Sequence, residues 1–317
     1  PKEIPMTAFY RSLLRNIAAA SLSLVASLAH AQDYTPRTYE LSTPDVTASE
    51  ALRAKLPADL RETGVLRVGG RWDAPPYAFF PEGTEDWTGF EADLTRGVAK
   101  LLGLELELQP VTNEQTLIGI QSGKYDIGVG FYADLEAREE TVTFVTYLNN
   151  IFGIIVAKGN PHNIKEVADA CGLRTIQTGG NFDYAGALNR VCAERGRPDA
   201  TRVQVAEGVS GLLALKSNQI DVYFQSYGQQ KYFESVVEEP IIALVAPEIG
   251  FTGMGLIIAK ERKDLQEAVL GAVQELYRIG YYDKLIEKWG FQPLRAPEAA
   301  LNGGRNSRWW PASVTVQ

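Results

Sequence analysis

The sequence predicts an α/β protein built as two similar lobes, and three observations lead there. Strand-like and helix-like stretches alternate along the chain, the pattern of a mostly parallel sheet covered by helices on both faces. A stretch of the first half recurs in the second: Ile120-Gln121-Ser122-Gly123-Lys124-Tyr125-Asp126-Ile127 is echoed by Leu215-Lys216-Ser217-Asn218-Gln219-Ile220-Asp221-Val222. The 317 residues, 45% hydrophobic and 22% charged, suffice for two compact domains with a core in each.

Leu66-Arg67-Val68-Gly69 begins the first strand. Over residues 90–102, Phe90, Leu94, Val98, Leu101 and Leu102 recur at helical spacing, and Gly103 stops the helix. Residues 104–108 alternate apolar and acidic side chains, as a half-buried strand does. A short helix over 117–121 and a buried strand at Ile127-Gly128-Val129 follow. In each copy of the echo a helix ends at Gly123 or Asn218, residues that tolerate a left-handed cap, and a strand follows. Residues 151–157 and 251–259 are apolar, glycine-punctuated strands. The chain is expected to cross between lobes near residues 147–152 and to return near 248–254. Residues 184–191 are helical. So are 263–279, with Leu265, Val269, Val273 and Leu276 on one face, and 281–289. From Arg295 on, a Gly/Asn/Ser-rich tail with Trp309-Trp310 has no periodicity.

Both ends and the charge add constraints. Arg11 and Arg15 precede an apolar run over residues 17–28, and Ala29-His30-Ala31 supplies small residues at signal-peptidase spacing. The run is shorter than the roughly 20 residues of a spanning helix, so cleavage before Gln32 and export are expected. Pro1-Lys2-Glu3-Ile4-Pro5 is compatible with translation of a ribosome-binding sequence ahead of a start at Met6. The expected division is residues 1–31 pre-sequence and signal peptide, 32–59 leader, 60–148 with 253–294 first lobe, 149–252 second lobe, and 295–317 tail. A net charge of −8 argues against nucleic acid or an anionic membrane surface as partner. Cys171 and Cys192, an even count in an exported chain, read as one disulfide, two buried free thiols being the alternative. With His162 the one histidine left after cleavage, a histidine-rich metal site is ruled out, and no metal or cofactor is expected.

The ordered motifs resemble the family 3 extracellular solute-binding proteins, the polar-amino-acid receptors of ABC importers. They are Gly64-Val65-Leu66-Arg67-Val68-Gly69, Pro75-Pro76-Tyr77-Ala78-Phe79, Gly89-Phe90-Glu91-Ala92-Asp93-Leu94, Gln121-Ser122-Gly123-Lys124-Tyr125-Asp126 and Ala137-Arg138-Glu139. Lys158-Gly159-Asn160, Cys171-Gly172, Tyr282-Asp283-Lys284 and Lys288-Trp289-Gly290 continue the series. The resemblance implies a two-lobed clamshell of the type 2 periplasmic-binding-protein class, with mixed sheets flanked by helices and two hinge crossings. It also implies a periplasmic monomer, a small carboxylate-bearing ligand and the permease subunits of an inner-membrane ABC transporter as partners.

Site residues follow from the resemblance. Arg138 matches the arginine that holds the ligand carboxylate, a role suited to a planar guanidinium with two parallel donors. Its alternative is a surface arginine paired with Glu136 or Glu140. Gly179, Gly180 and Asn181 stand where the second lobe offers donors near a helix start. Phe131, Tyr132 and Ala133 follow a buried strand where the first lobe presents backbone groups. Arg71, Trp72 and Asp73 end the first strand, and Trp72 fits core packing as readily as ligand contact. Ser226, beside Gln225, replaces the usual aspartate that pairs with the ligand ammonium. A serine offers a hydroxyl and no counter-charge, and Asp73 is the nearest substitute. An acidic or non-amino carboxylate therefore competes with an α-amino acid as ligand. The rival readings are an enzyme on the same scaffold, resembling cyclohexadienyl dehydratase with Asp73, Glu114 or Asp183 as acid, and a subunit that delivers ligand to another complex.

Overall fold

Two short helices, Glu50–Arg53 (α1) and Ala58–Thr63 (α2), lead into the strand Val65–Gly70 (β1) in the computed structural model, which describes residues 46–176, 183–204, 211–236 and 242–305. The expected signal segment, Gly179, Gly180, Asn181 and Trp309-Trp310 lie outside the described residues. After β1 come a small hairpin, Asp73–Ala74 (β2) and Ala78–Phe79 (β3), then the helix Phe90–Leu102 (α3) and the strand Glu105–Pro110 (β4). The helix Asn113–Gln121 (α4) precedes Ile127–Asp134 (β5), one turn of helix at Glu136–Glu139 (α5), and the long strand Val142–Val156 (β6).

The second half runs Arg174–Ile176 (β7), Tyr184–Glu194 (α6), Thr201–Val203 (β8), Gly211–Lys216 (α7), Val222–Ser226 (β9), Tyr227–Val236 (α8) and Ile242–Val245 (β10). Phe251–Ala259 (β11), Lys263–Arg278 (α9), Tyr281–Trp289 (α10) and Arg295–Leu301 (β12) complete it. The helical spacing read from the sequence places α3 and α10 at these bounds. The strand expected over 251–259 is β11.

Strand β1 pairs in parallel with β4 on one side and β5 on the other, and β11 runs antiparallel between β5 and β6. The long strand β6 changes partners along its length. Its first part, up to Ile151, pairs with β11, while Phe152 to Val156 pairs with β9 and Gly153 to Val156 with β10. The change falls within the crossing expected over 147–152. The apolar strand read at 151–157 is thus only the far end of a longer one. Asn149 and Asn150 look like a break in the sequence, but pairing with Gly253 and Thr252 of β11 holds them extended.

The sequence echo is a structural repeat at the level of atoms. Asp126 Oδ2 accepts from the Arg67 backbone N–H (2.9 Å) and Nε (3.0 Å), and Oδ1 from Nη2 (2.8 Å). Asp221 repeats this with Arg174: 2.9, 3.0 and 2.6 Å. Each aspartate thus ties the start of the strand after its helix to a second strand, to β1, its parallel neighbour, in one case and to β7 in the other.

Apolar faces set the core. Leu265, Val269, Val273 and Leu276 of α9 are fully buried, each contributing about 2 kcal/mol by removal from water. A separate cluster gathers Phe152, Ile154, Leu188, Val191 and Phe224. The Cys171–Cys192 disulfide, with Cα atoms 5.6 Å apart, is part of that second cluster. Among the described residues no helix is long and apolar enough to cross a membrane.

Candidate functional site

Because β1, β4 and β5 are parallel, their C-terminal ends emerge at one edge, the place where open α/β sheets take ligands. There Gly130 of β5 lies against the backbone of Arg71, so close that a Cβ at residue 130 would sit 3.0 Å from the Arg71 carbonyl oxygen. Arg138, on the one-turn helix after β5, folds back so that Nη1 donates to the Ala133 carbonyl at 3.1 Å. Its guanidinium is half-buried, and burial pulls its pKa below the usual arginine range, Tyr132 acting in the other direction. Among the described residues no carboxylate acts on it, so the pairing with Glu136 or Glu140 is not made there. The buried Tyr132 hydroxyl is pushed up to about 12 by desolvation, against the pull of Arg71 and Arg138. Both cations therefore act on one phenol.

The remaining residues at this edge are already engaged. Arg71 Nε pairs with Asp73 Oδ1 at 2.6 Å on the surface. The Trp72 indole donates to the Val129 carbonyl at 3.1 Å and packs 4.9 Å from the Trp87 ring, which is core packing. Phe131 has φ 59°, a left-handed conformation rare for a bulky side chain, at a cost of about 1–2 kcal/mol. Its ring stacks on Tyr77 with centroids 3.8 Å apart. Tyr77 is fully buried, and its hydroxyl meets the Ser226 hydroxyl at 2.6 Å. The Ser226 hydroxyl is thus capped from within the protein. Gln225 Nε2 bonds the Tyr223 hydroxyl at 3.1 Å, and its Oε1 accepts from the Ser226 N–H.

Beneath Phe131 lies Glu91, in the first turn of α3 and fully buried. Oε2 accepts from the Phe131 N–H at 2.7 Å, and Oε1 from the Tyr147 hydroxyl. The nearby Gly130 N–H also favours the charged carboxylate. Desolvation pushes the carboxyl up to about 7 despite the pull of Tyr147, Phe131 and Gly130, which favour the charged form. The loop before α3 sets this arrangement. The Phe90 and Glu91 N–H groups donate to the Pro76 and Tyr77 carbonyls at 2.9 and 2.8 Å. Gly89, at φ 121°, leaves no room for a Cβ, which would fall 2.1 Å from the Tyr77 oxygen.

The sequence pattern of the bacterial extracellular solute-binding proteins, family 3, matches residues 66–292. The chain belongs to this family. Among the relatives of this solute-binding protein is the arginine-binding protein ArgT of Corynebacterium glutamicum, 25% identical over 290 residues, which cover 90% of this chain and 93% of that one. The crystal structure of the probable amino-acid ABC transporter extracellular-binding protein YtmK from Bacillus subtilis superposes with a TM-score of 0.63 at 20% identity, over 72% of this chain and 98% of that one. An ancestral amino-acid-binding protein described as a precursor of cyclohexadienyl dehydratase superposes at 0.56 with 24% identity, over 73% and 97%. The two structures show the clamshell fold.

Sequence reasoning passed over three residues packed at this candidate site: Glu91, Tyr147 and Tyr77. Two of them stand in the motifs that carry the resemblance. The residue types alone do not reveal that the first turn of α3 is enclosed on all sides, with Phe90 to Thr95 buried without a break. A hollow of about 420 Å³ lined by Asp59, Leu60, Thr63, Val65, Arg67 and Glu107 shares no residue with this edge.

Proposed function

We propose that this protein captures a polar amino acid or a related small carboxylate in the periplasm and delivers it to the permease of an ABC importer. The observation that carries the reading is Arg138: a half-buried guanidinium at the C-terminal edge of β5, tied to a backbone carbonyl and, among the described residues, unopposed by a carboxylate. Such a fork retains donors for a ligand carboxylate. Phe131, Tyr132 and Ala133 line the first-lobe side, and Gly179, Gly180 and Asn181 supply backbone donors from the second lobe. The lobes comprise residues 60–148 with 253–294, and 149–252, and the protein acts as a monomer after cleavage near Gln32. Closure about the crossings follows from contacts that only the closed form completes.

The arginine, cystine and glutamate/aspartate receptors among the relatives support an amino acid, and the neutral Ser226 supports a ligand without an ammonium group. Asp73 supports the amino-acid side only if it leaves Arg71. A binding role is supported over catalysis because Glu114 and Asp183 are exposed, Asp73 is ion-paired, and the acid with a raised pKa, Glu91, is sealed from solvent. Calorimetric titration with L-arginine, L-cystine, L-glutamate and non-amino dicarboxylates, alongside a prephenate and arogenate turnover assay, tests the reading. Arg138→Ala should weaken the best ligand by about 100-fold, from loss of a charge-assisted pair worth roughly 3 kcal/mol. Unchanged affinity in that variant would remove the carboxylate fork, and turnover would replace binding with catalysis.

A further inference from the structure

We propose that Glu91 is a positioning residue: its carboxylate fixes the strained turn at Gly130 and Phe131 and ties it to Tyr147 on the strand that changes sheets. The inference rests on the reading above only in taking that turn to face the ligand. The tie itself is geometric. One oxygen takes the Phe131 N–H at 2.7 Å and the other takes the Tyr147 hydroxyl. Phe131 could relax from its left-handed φ of 59° by rotating its N–H away, and the carboxylate opposes that rotation. The Tyr77 ring, stacked 3.8 Å above Phe131, closes the other side.

Tyr147 extends the tie toward the crossing. Its carbonyl accepts from the Tyr277 and Tyr282 hydroxyls, both at 2.7 Å. Two residues on, Asn149 pairs with Gly253, and from Phe152 the strand joins β9. Glu91 therefore stands between the turn and the strand that leaves for the second sheet.

The groups facing Glu91 from each packed element are neutral. β5 offers the Gly130 and Phe131 N–H groups and the Tyr132 phenol, β6 the Tyr147 phenol, and the loop before α3 the Tyr77 phenol. Among the described residues no cation acts on it. Protonation leaves a weaker, neutral acceptor for the Phe131 N–H, so occupancy of the tie should follow the titration of this one carboxyl, near pH 7.

A buried residue with a merely structural role would not make the turn follow pH. The test is two-dimensional NMR of the ¹⁵N-labelled full chain, following the Gly130 and Phe131 amides from about pH 5 to pH 9 without ligand. The Phe131 amide proton should move downfield as pH rises, with a midpoint near 7, and Glu91→Gln should abolish the movement. Tyr147→Phe keeps the ring but removes a donor to the charged form, so the midpoint should rise. That variant also decides the matter if Glu91→Gln fails to fold. A Phe131 amide that does not titrate, one that titrates unchanged in Glu91→Gln, or an unmoved midpoint in Tyr147→Phe overturns the proposal. Because no ligand is added, these results are independent of the binding titrations that test the function.

Discussion

A carboxylate enclosed with two hydrogen-bond donors, and with no cation acting on it among the described residues, has its pKa raised by desolvation, and this gives Glu91 a signature in stability as well as in the turn it fixes. Its folded pKa of about 7 lies above the ordinary 4.5. Between those values the folded chain binds more protons than the unfolded one, so this group makes stability fall as pH rises. The contribution is complete below 4.5 and lost once pH passes 7, amounting to about 3 kcal/mol. Urea unfolding of wild type and Glu91→Gln at a series of pH values should therefore show wild type losing stability relative to the variant as pH rises from about 4.5 to 7. Parallel profiles would mean that Glu91 does not titrate in this window. Little of this was legible in the residues themselves. Arg138 could be singled out because its motif and its chemistry agree. Glu91 reads as one of several first-turn acids, and only packing shows that it faces inward while Asp73, read as a counter-charge, faces Arg71.

Elements were more legible than their contacts, because periodicity reports one buried face whereas pairing depends on distant strands. The amphipathic helices and the echoed corner could be read, down to the aspartate that begins each following strand. The unbroken length of β6 could not, because its two asparagines are held by β11, a strand a hundred residues away in sequence. Likewise the tail after Arg295, which has no apolar alternation, becomes β12 through a partner already in place. The disulfide is an intermediate case: its existence followed from a count of two, its consequence from where it lies. It joins the short helix Val167–Ala170 to α6 across 21 residues of sequence. Closing such a loop contributes about 3 kcal/mol in the chain-entropy model. Reduction should lower the unfolding free energy by that amount, read by urea titration with and without reductant. An unchanged midpoint would show that packing of Leu188 and Val191 holds α6 without help from the crosslink.

The family pattern ends at residue 292, yet the chain beyond it is fastened to β6, the long strand whose two ends have different partners. Strand β12 pairs with β6 at Arg295–Leu148, Ala300–Thr146 and Leu301–Val145, opposite the side taken by β11. Asn302 then exchanges hydrogen bonds with the Phe144 backbone at 2.9 and 3.0 Å. The Gly303 N–H donates to the Thr146 hydroxyl at 3.0 Å, and the Gly304 N–H to Asp134 Oδ2 at 2.8 Å. Asp134 directly follows Ala133, whose carbonyl holds Arg138, so this segment also supports the proposed carboxylate fork. A chain ending at Leu294 would leave the first half of β6 as a sheet edge and strip Asp134 of a donor. With several backbone bonds lost at about 1 kcal/mol each, a loss of a few kcal/mol in stability is expected. Amide exchange should quicken at residues 144–148 of β6, while residues 153–156, paired with β9 and β10, keep their protection up to the lowered global limit. Full protection at 144–148 in the shortened chain would mean that β11 alone holds the crossing strand, and that the added segment is a surface appendage.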